Sequence, residues 1–449
     1  MSSGERDEGR QVLGPFEANA GVRRGLEARR GFRACRSWGI GRRTGPVKIV
    51  DITEFYSERG GGIRSHLTSR GHFLCQLGHD HTVIAPGPRD EEDAGSSDCV
   101  APGAGRTRVL RIAGPPHPYD GSYHWLARFD KIRARVRPLR PAVLEAHSPY
   151  LGMVAVLACG RAAPVRTAFW HSDHVGTYLE PALASALGFP SARRITAPLW
   201  RGVRALLAPF DATFVGGRVQ ARRLRAAGVP DVVHVPFGVD ARTFRPQAAD
   251  ASRRGELVAG AGAGTSVLVG VGRFAMEKRW DIVIDAFERV RARHKAVLVL
   301  FGDGPERARL ERRAPPGVHF AGFDTDRARL ARSLASADLL VHACPCETYG
   351  LGVAEAVACG LPVVVPDEGG AAESVDPASC EVYASLDAAA CAAAIERLLE
   401  RDPGELRALA LEAARRVPTL DEHFATVLAT YDALLDEKSQ RDARSRLDS

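Results

Sequence analysis

No apolar stretch of this 449-residue chain approaches the roughly 20 residues that a membrane-spanning helix needs, so no transmembrane span is expected. Its nine cysteines are scattered, with no Cys-x-x-Cys pair, and Cys344-Pro-Cys346 has the wrong spacing for a zinc knuckle. The odd count predicts free thiols in a reducing compartment and no structural metal. The first residues are polar and charged, without the apolar core of a secretory signal, so a cytoplasmic protein is expected. Basic residues are plentiful, but they are neither interleaved with aromatics nor gathered on one reading helix. Nucleic-acid binding is therefore not expected.

The composition is that of a globular protein, 45% hydrophobic and 26% charged, and the length suits two or three domains. The net charge is +7, and much of the excess sits in residues 1–45, which hold ten arginines and five acids. That segment lacks apolar periodicity and reads as a disordered basic tail. From Val47 the pattern changes. "VKIVDIT" is a strand, "IRSHLTSRGHFLCQLGH" a helix and "DHTVIAPG" a strand, with the loop "EFYSERGGG" between the first two. Strand and helix keep alternating to about residue 244, and "HWLARFDKIRARVRPLR" and "LWRGVRALLAPFD" are read as helices. This rhythm predicts a parallel sheet with helices on both faces.

A seam follows. "ARTFRPQAADASRRGELVAGAGAG" has little periodicity and reads as a linker. The alternation restarts at "TSVLVGVGR" and continues to about residue 420. The expected organisation is thus an N-terminal Rossmann-like unit over residues 46–244, a second over 245–420, a helix over 421–438 and a frayed tail over 439–449. In doubly wound sheets ligands bind beyond the carboxyl ends of the strands, so two such units facing each other define a cleft.

One stretch lies at that edge, "CPCETYGLGVAEAVACGLPVVVPDEGG". Glu347 and Glu355 flank a turn in which Gly350 and Gly352 let a ligand approach the backbone. The N–H groups near Leu351 and Gly352 open a helix and form an anion site. Carboxylates beside an anion site suit a ligand with both phosphate and hydroxyls, such as a nucleotide sugar. The plainer reading is that Glu355 only stabilises the first helical turn. Arg273 and Lys278, in the loop after the first strand of the second unit, can neutralise a diphosphate. Gly61 and Gly62 lie in the first loop of the first unit and can offer amides from across the cleft. His171 and His147 each follow a strand of the first unit, and each suits either a sugar contact or a structural hydrogen bond.

These residues carry a resemblance. "PFGVDARTFRP", "GVGRFAMEKR", "LFGDGP", "VHFAGF" and "ETYGLGVAEAVACGLPVV" resemble the retaining GT-B glycosyltransferases of family 4, as does the glycine loop "TEFYSERGGGIRSHL". The resemblance covers roughly residues 47–435 and departs from the family pattern at Pro345-Cys346. It implies a GT-B fold, two doubly wound Rossmann-like domains facing across a cleft, with the last helix crossing back to the first domain. It implies that Glu347 contacts the transferred hexose and Glu355 the ribose, while Arg273, Lys278, Gly350, Leu351 and Gly352 hold the diphosphate. Gly61 and Gly62 would cover the diphosphate, and His171 would lie near the donor sugar.

The implied reaction moves a hexose, best matched by mannose from GDP-mannose, to an acceptor hydroxyl in glycolipid or envelope-glycan synthesis. No metal or other cofactor is expected beyond the donor itself, since no Asp-x-Asp cluster is assigned to the cleft. Hinge motion is expected near residue 245. The alternatives are a UDP-hexose-dependent transferase, an inactive nucleotide-sugar-binding protein and a sugar-nucleotide epimerase. The stretches mixing arginine with Trp and Leu, "HWLARFDKIRARVRPLR" and "SARRITAPLWRGVRALLAP", suit a peripheral contact with the inner membrane face and a lipid-linked acceptor. Ordinary helices with the apolar face on the sheet are the preferred reading of both.

Overall fold

The computed structural model describes residues 46–56, 62–93, 104–118, 123–258 and 260–447. The basic tail and Gly61 lie outside them. Eight strands build the first sheet: β1 Lys48–Ile52, β2 Asp80–Gly87, β3 Glu91–Asp93, β4 Thr107–Ala113, β5 Val143–Ala146, β6 Val165–Trp170, β7 Ala212–Val215 and β8 Val232–His234. Their order is β3-β4-β2-β1-β5-β6-β7-β8, all parallel except β3, which runs antiparallel to β4. The second sheet holds β9 Ser266–Val271, β10 Ala296–Phe301, β11 Val318–Gly322, β12 Leu339–Val341, β13 Val363–Pro366 and β14 Glu381–Tyr383. It is wholly parallel, in the order β11-β10-β9-β12-β13-β14. Two doubly wound parallel sheets in one chain make this the GT-B fold.

Helices cover both faces, so the central strands are nearly continuous apolar runs. Val267, Leu268 and Val269 of β9 are fully buried, as are Val363, Val364 and Val365 of β13. Two buried carboxylates break that rule in the first sheet. Asp51 of β1 and Glu145 of β5 are register partners, and both are wholly buried.

Several segments differ from the sequence reading. The edge strand β3 was not expected, because Glu91–Asp93 is fully polar and exposed and carries no apolar alternation. The stretch around Trp125 is not helical. The helix starts at Phe129 and buries only Ile132 and Val136, while Trp125 leans on the ring of His117 with centroids 4.7 Å apart. The supposed linker contains a helix, Ala251–Val258, fixed by Arg254 on Asp338 and by Arg253 on Ser333. Those partners are some 80 residues away in sequence, which local periodicity does not register. The last helix runs from Leu420 to Leu447, past the point where a frayed end was expected. Ser439 donates to the Leu435 carbonyl and Arg441 pairs with Glu437, and both bonds hold the final turns.

The chain crosses between the sheets twice, side by side. Val239 N–H donates to Pro418 O at 2.8 Å, and Leu420 N–H returns to Val239 O at 3.0 Å. A Cβ at Gly238 would overlap the Thr419 carbonyl, so the close approach of the two crossings requires glycine. From there the last helix packs Val427, Leu428, Tyr431 and Leu435 against Ile49, Phe169 and Phe214 of the first sheet.

Candidate active site

The loop that follows β12 carries the acid pair's first member. Gly350 ends the loop with φ 83°, and a Cβ there would press on Ala371 at 3.1 Å. The left-handed turn throws the chain directly into the helix Leu351–Ala358, whose first amides, on Leu351 and Gly352, have no carbonyl within the helix to bond. Glu347 sits just before this turn. Its carboxylate pairs with Lys278, which a short 3-10 turn, Met276–Lys278, presents after β9. His342 Nε2 lies 3.7 Å from the same carboxylate. Burial alone would raise the Glu347 carboxyl, but the Lys278 charge and His342 hold it below its usual range. Lys278 is the mirror case, since burial opposes its charge and Glu347 more than restores it.

Glu355 is placed differently. It lies one turn inside the helix, 5% exposed, and pairs with Arg327 at the start of the helix Arg327–Ser336. The Arg327 guanidinium rests 4.7 Å above the Phe244 ring. Burial still pushes the Glu355 carboxyl up. Glu355 thus lies beyond the first helical turn, and its apolar company is tolerated because Arg327 reaches it. Among the described residues no hydrogen bond or ion pair connects Glu355 to the Glu347–Lys278 pair. Arg273 is exposed, and its carbonyl accepts from Trp280 Nε1–H at 2.9 Å and from Ala275 N–H at 3.0 Å.

The first sheet meets this loop. Thr348 Oγ1–H donates to the backbone carbonyl of His171 at 2.9 Å, which brings His171 within one residue of Glu347. Tyr349 O–H donates to the Phe237 carbonyl, and Glu373 accepts from the Arg218 and Val219 amides that open the helix Arg218–Ala226. The His171 ring stacks on Phe169 with centroids 4.5 Å apart, and its Nε2 lies 2.9 Å from His147 Nδ1. Burial, and then the charge on His147, holds His171 well below the ordinary histidine value. Gly62 begins the helix Gly62–Gln76 with open space where a Cβ would be.

Three further residues gather at this edge, none of them singled out by the sequence reading. Glu54 follows β1, its Oε2 is buried without a partner, and burial pushes its carboxyl up to about 8. Tyr150 follows β5 with φ 82°, a strained value for a bulky side chain. Its ring lies 5.5 Å from that of His174, whose Nδ1 is also buried and unpartnered. Glu54 N–H donates to Ser148 Oγ at 3.4 Å, so three consecutive loops of the first sheet are joined here. Only the backbone angle and the orphaned atoms reveal the cluster, and neither is legible in a sequence.

Among the described residues, three groups of side chains bring ligand atoms within 4.8 Å of one another: His66, His147 and His171; Asp51, Glu145 and His147; His342, Cys344 and Glu347. In the second the positive charge comes from Arg70, and in the third from Lys278. Burial also pushes the Cys344 thiol up to about 12, which keeps it protonated. A separate cavity of about 640 Å3, lined by Arg254, Thr265, Asp338 and Arg407, opens at the amino-terminal edge of the second sheet, opposite the Glu347 loop.

Family models match both sheet-bearing halves of the chain. The model described as "Glycosyltransferase Family 4" matches residues 60–243, and "Glycosyl transferases group 1" matches residues 265–401. A GDP-mannose-dependent alpha-(1-6)-phosphatidylinositol dimannoside mannosyltransferase of Mycobacterium tuberculosis is 31% identical over 397 residues, 86% of this chain and 97% of that protein. The chain belongs to glycosyltransferase family 4. This family 4 glycosyltransferase is also 28% identical to a GDP-mannose-dependent alpha-mannosyltransferase of Mycolicibacterium smegmatis, over 88% of this chain and all of that one. Among solved structures, Anabaena HepE in complex with UDP and glucose superposes with a TM-score of 0.64 at 16% identity, covering 86% of this chain and 99% of that one. Sucrose-phosphate synthase from Thermosynechococcus elongatus gives 0.62 at 19% identity, covering 90% and 100%. At those identities the likeness is one of fold. The enzyme is a hexosyltransferase.

Proposed function

We propose that this enzyme transfers mannose from GDP-mannose, with retention of anomeric configuration, to a hydroxyl of a lipid-linked glycan acceptor. The observation that carries the mannosyl reading is the likeness along nearly the whole chain to the mycobacterial mannosyltransferases. The acid-loop geometry supports the chemistry. Glu347 meets the hexose, Glu355 the ribose, and Arg273, Lys278 and the amides of Leu351 and Gly352 take the diphosphate. As the sugar–phosphate bond breaks, negative charge grows on the leaving diphosphate, and fixed cations and amides favour that state over the ground state. Lys278 is held in place by its ion pair with Glu347, so it costs little to orient. The acceptor is read onto the loops of the first sheet, near Glu54, Tyr150 and His174. Contact with the membrane is read onto the helix Phe189–Leu207.

The test is a thermal-shift panel of nucleotide sugars on the wild type and Glu355→Ala. A ligand at a hundredfold excess over its Kd stabilises by about 2.7 kcal/mol. GDP-mannose is expected to raise the wild-type Tm and to lose that effect in the variant. A shift with UDP-sugars alone would overturn the mannosyl reading, and no shift with any donor would overturn the assigned site.

A further inference from the structure

Directly beneath His171 lies a buried polar cluster that the reaction as read above does not use. Asp51 and Glu145 stand side by side in the sheet, and two buried carboxylates demand cations. Arg70, from the helix Gly62–Gln76, supplies one. It pairs with Glu145, and its Nε lies 3.4 Å from Asp51. Tyr431 of the last helix locks both, accepting from Arg70 at 2.6 Å and donating to Glu145 Oε2 at 2.7 Å. Thr167 on β6 donates to the same oxygen at 2.6 Å, and His81 on β2 bonds Asp51 at 2.7 Å. One negative charge remains to be met; His81 reaches Asp51, whereas His147 is placed against both carboxylates. Its Nε2 lies 2.9 Å from Glu145 Oε1 and 3.5 Å from Asp51 Oδ1.

His147 Nδ1 faces His171 Nε2 at 2.9 Å, and a single proton fits between them. If His147 is an imidazolium, that proton is its own. His171 then accepts at Nε2 and must carry its proton on Nδ1, which has no partner among the described residues. The remaining neighbours are Arg70, 3.0 Å from His147 Nε2, and the rings of His66 and His423. Burial and the nearby positive charges keep His66 and His423 below the ordinary histidine value. For His147 burial acts the same way, but Asp51 and Glu145 outweigh it and raise the value.

We propose that His147 is a positioning residue for the transfer reaction: as a buried imidazolium held by Asp51 and Glu145, it fixes His171 as the neutral Nδ1–H tautomer and makes it a hydrogen-bond donor toward the transferred sugar. The proposal rests on the reading of His171 as a donor-sugar contact. Tyr431 extends the chain of bonds to the last helix, so the segment that crosses back from the second domain is wired to His171 through Glu145.

The test is the nitrogen-15 spectrum of the full chain labelled in its histidines, with His171 identified by the signals lost in His171→Gln. The expected result at neutral pH is a protonated Nδ1 and a bare Nε2 on His171. A proton on Nε2 of His171 overturns the proposal, and this measurement needs no substitution in the buried cluster. A kinetic comparison adds a second arm. His147→Leu removes the donor to His171, and kcat is expected to fall about 100-fold, the scale of a misplaced catalytic group, with little change in donor KM. His147→Asn keeps an N–H near the position of Nδ1 and is expected to recover much of that loss. Equal loss in both variants with intact donor binding would overturn the positioning role. If the wild type transfers no hexose from any donor, the proposed function fails, whereas the tautomer is still read from the spectrum.

Discussion

At the scale of single residues, the acid loop separates two carboxylates by their partners. Glu347 has Lys278 and stays ionised, while Glu355 has a half-exposed arginine and is pushed toward its neutral form. Removing Arg327 leaves a buried carboxyl with no cation, so its folded value rises further above that of the unfolded chain. A carboxyl raised in this way contributes stability that is complete below the unfolded value and is lost as the pH climbs through the folded one. Arg327→Ala is therefore expected to lower Tm more at pH 8 than at pH 5. The cost should be about 2 kcal/mol at the higher pH, below that of a fully buried pair because Arg327 is 53% exposed. An equal effect at both pH values, in thermal melts with Glu355→Gln as the control, would contradict this account. The acid pair, Lys278 and the glycine turn were legible in the sequence because each is a short local pattern on one loop. Arg327 was not, since nothing local ties residue 327 to residue 355.

At the scale of elements, the helix Phe189–Leu207 has two apolar stripes. One, through Ala192, Thr196, Val203 and Leu207, is buried as the ordinary reading expects. Ile195 and Leu199 lie outside it, 53% and 46% exposed, among the exposed Arg193, Arg194 and Arg201. A basic helix with exposed aliphatics suits the surface of an anionic bilayer. The protein is expected to co-sediment with vesicles containing phosphatidylinositol and not with vesicles of neutral lipid alone. Ile195→Glu combined with Leu199→Glu should abolish sedimentation while leaving the donor thermal shift intact. Unchanged sedimentation of that double variant would assign the contact elsewhere. Periodicity marked this segment as helical, but only the packing revealed which apolar residues were left over.

At the scale of the whole molecule, neutral buried histidines gather where the chain crosses between sheets and at the sheet edges beside the cleft. His423 Nδ1 bonds the Pro236 carbonyl at the crossing, His342 lies under the acid loop, and His234 bonds the Gly216 carbonyl. Burial first, and nearby cations in part, bring each from 6.5 down to about 4. A histidine depressed in this way contributes stability that is intact above the unfolded value and is lost as the pH falls from 6.5 toward 4. Calorimetric melts from pH 7.5 to 4.5 are expected to show Tm dropping steeply below about 6.5. A flat profile over that range would mean these rings titrate normally.

The sequence by itself determined the alternation of strands and helices, the division into two sheets and the loop at the carboxyl edge that holds Glu347, Gly350 and the helix Leu351–Ala358. Those features follow from local propensity, from turn chemistry and from short motifs, which are written contiguously. The tertiary structure alone decided which charges meet. Asp51 and Glu145 lie 94 residues apart and become neighbours through strand register, and Arg70 and Tyr431 reach them from opposite ends of the chain. Burial makes that encounter obligatory, because two ionised groups inside a sheet persist only where cations and hydroxyls from distant segments arrive to hold them.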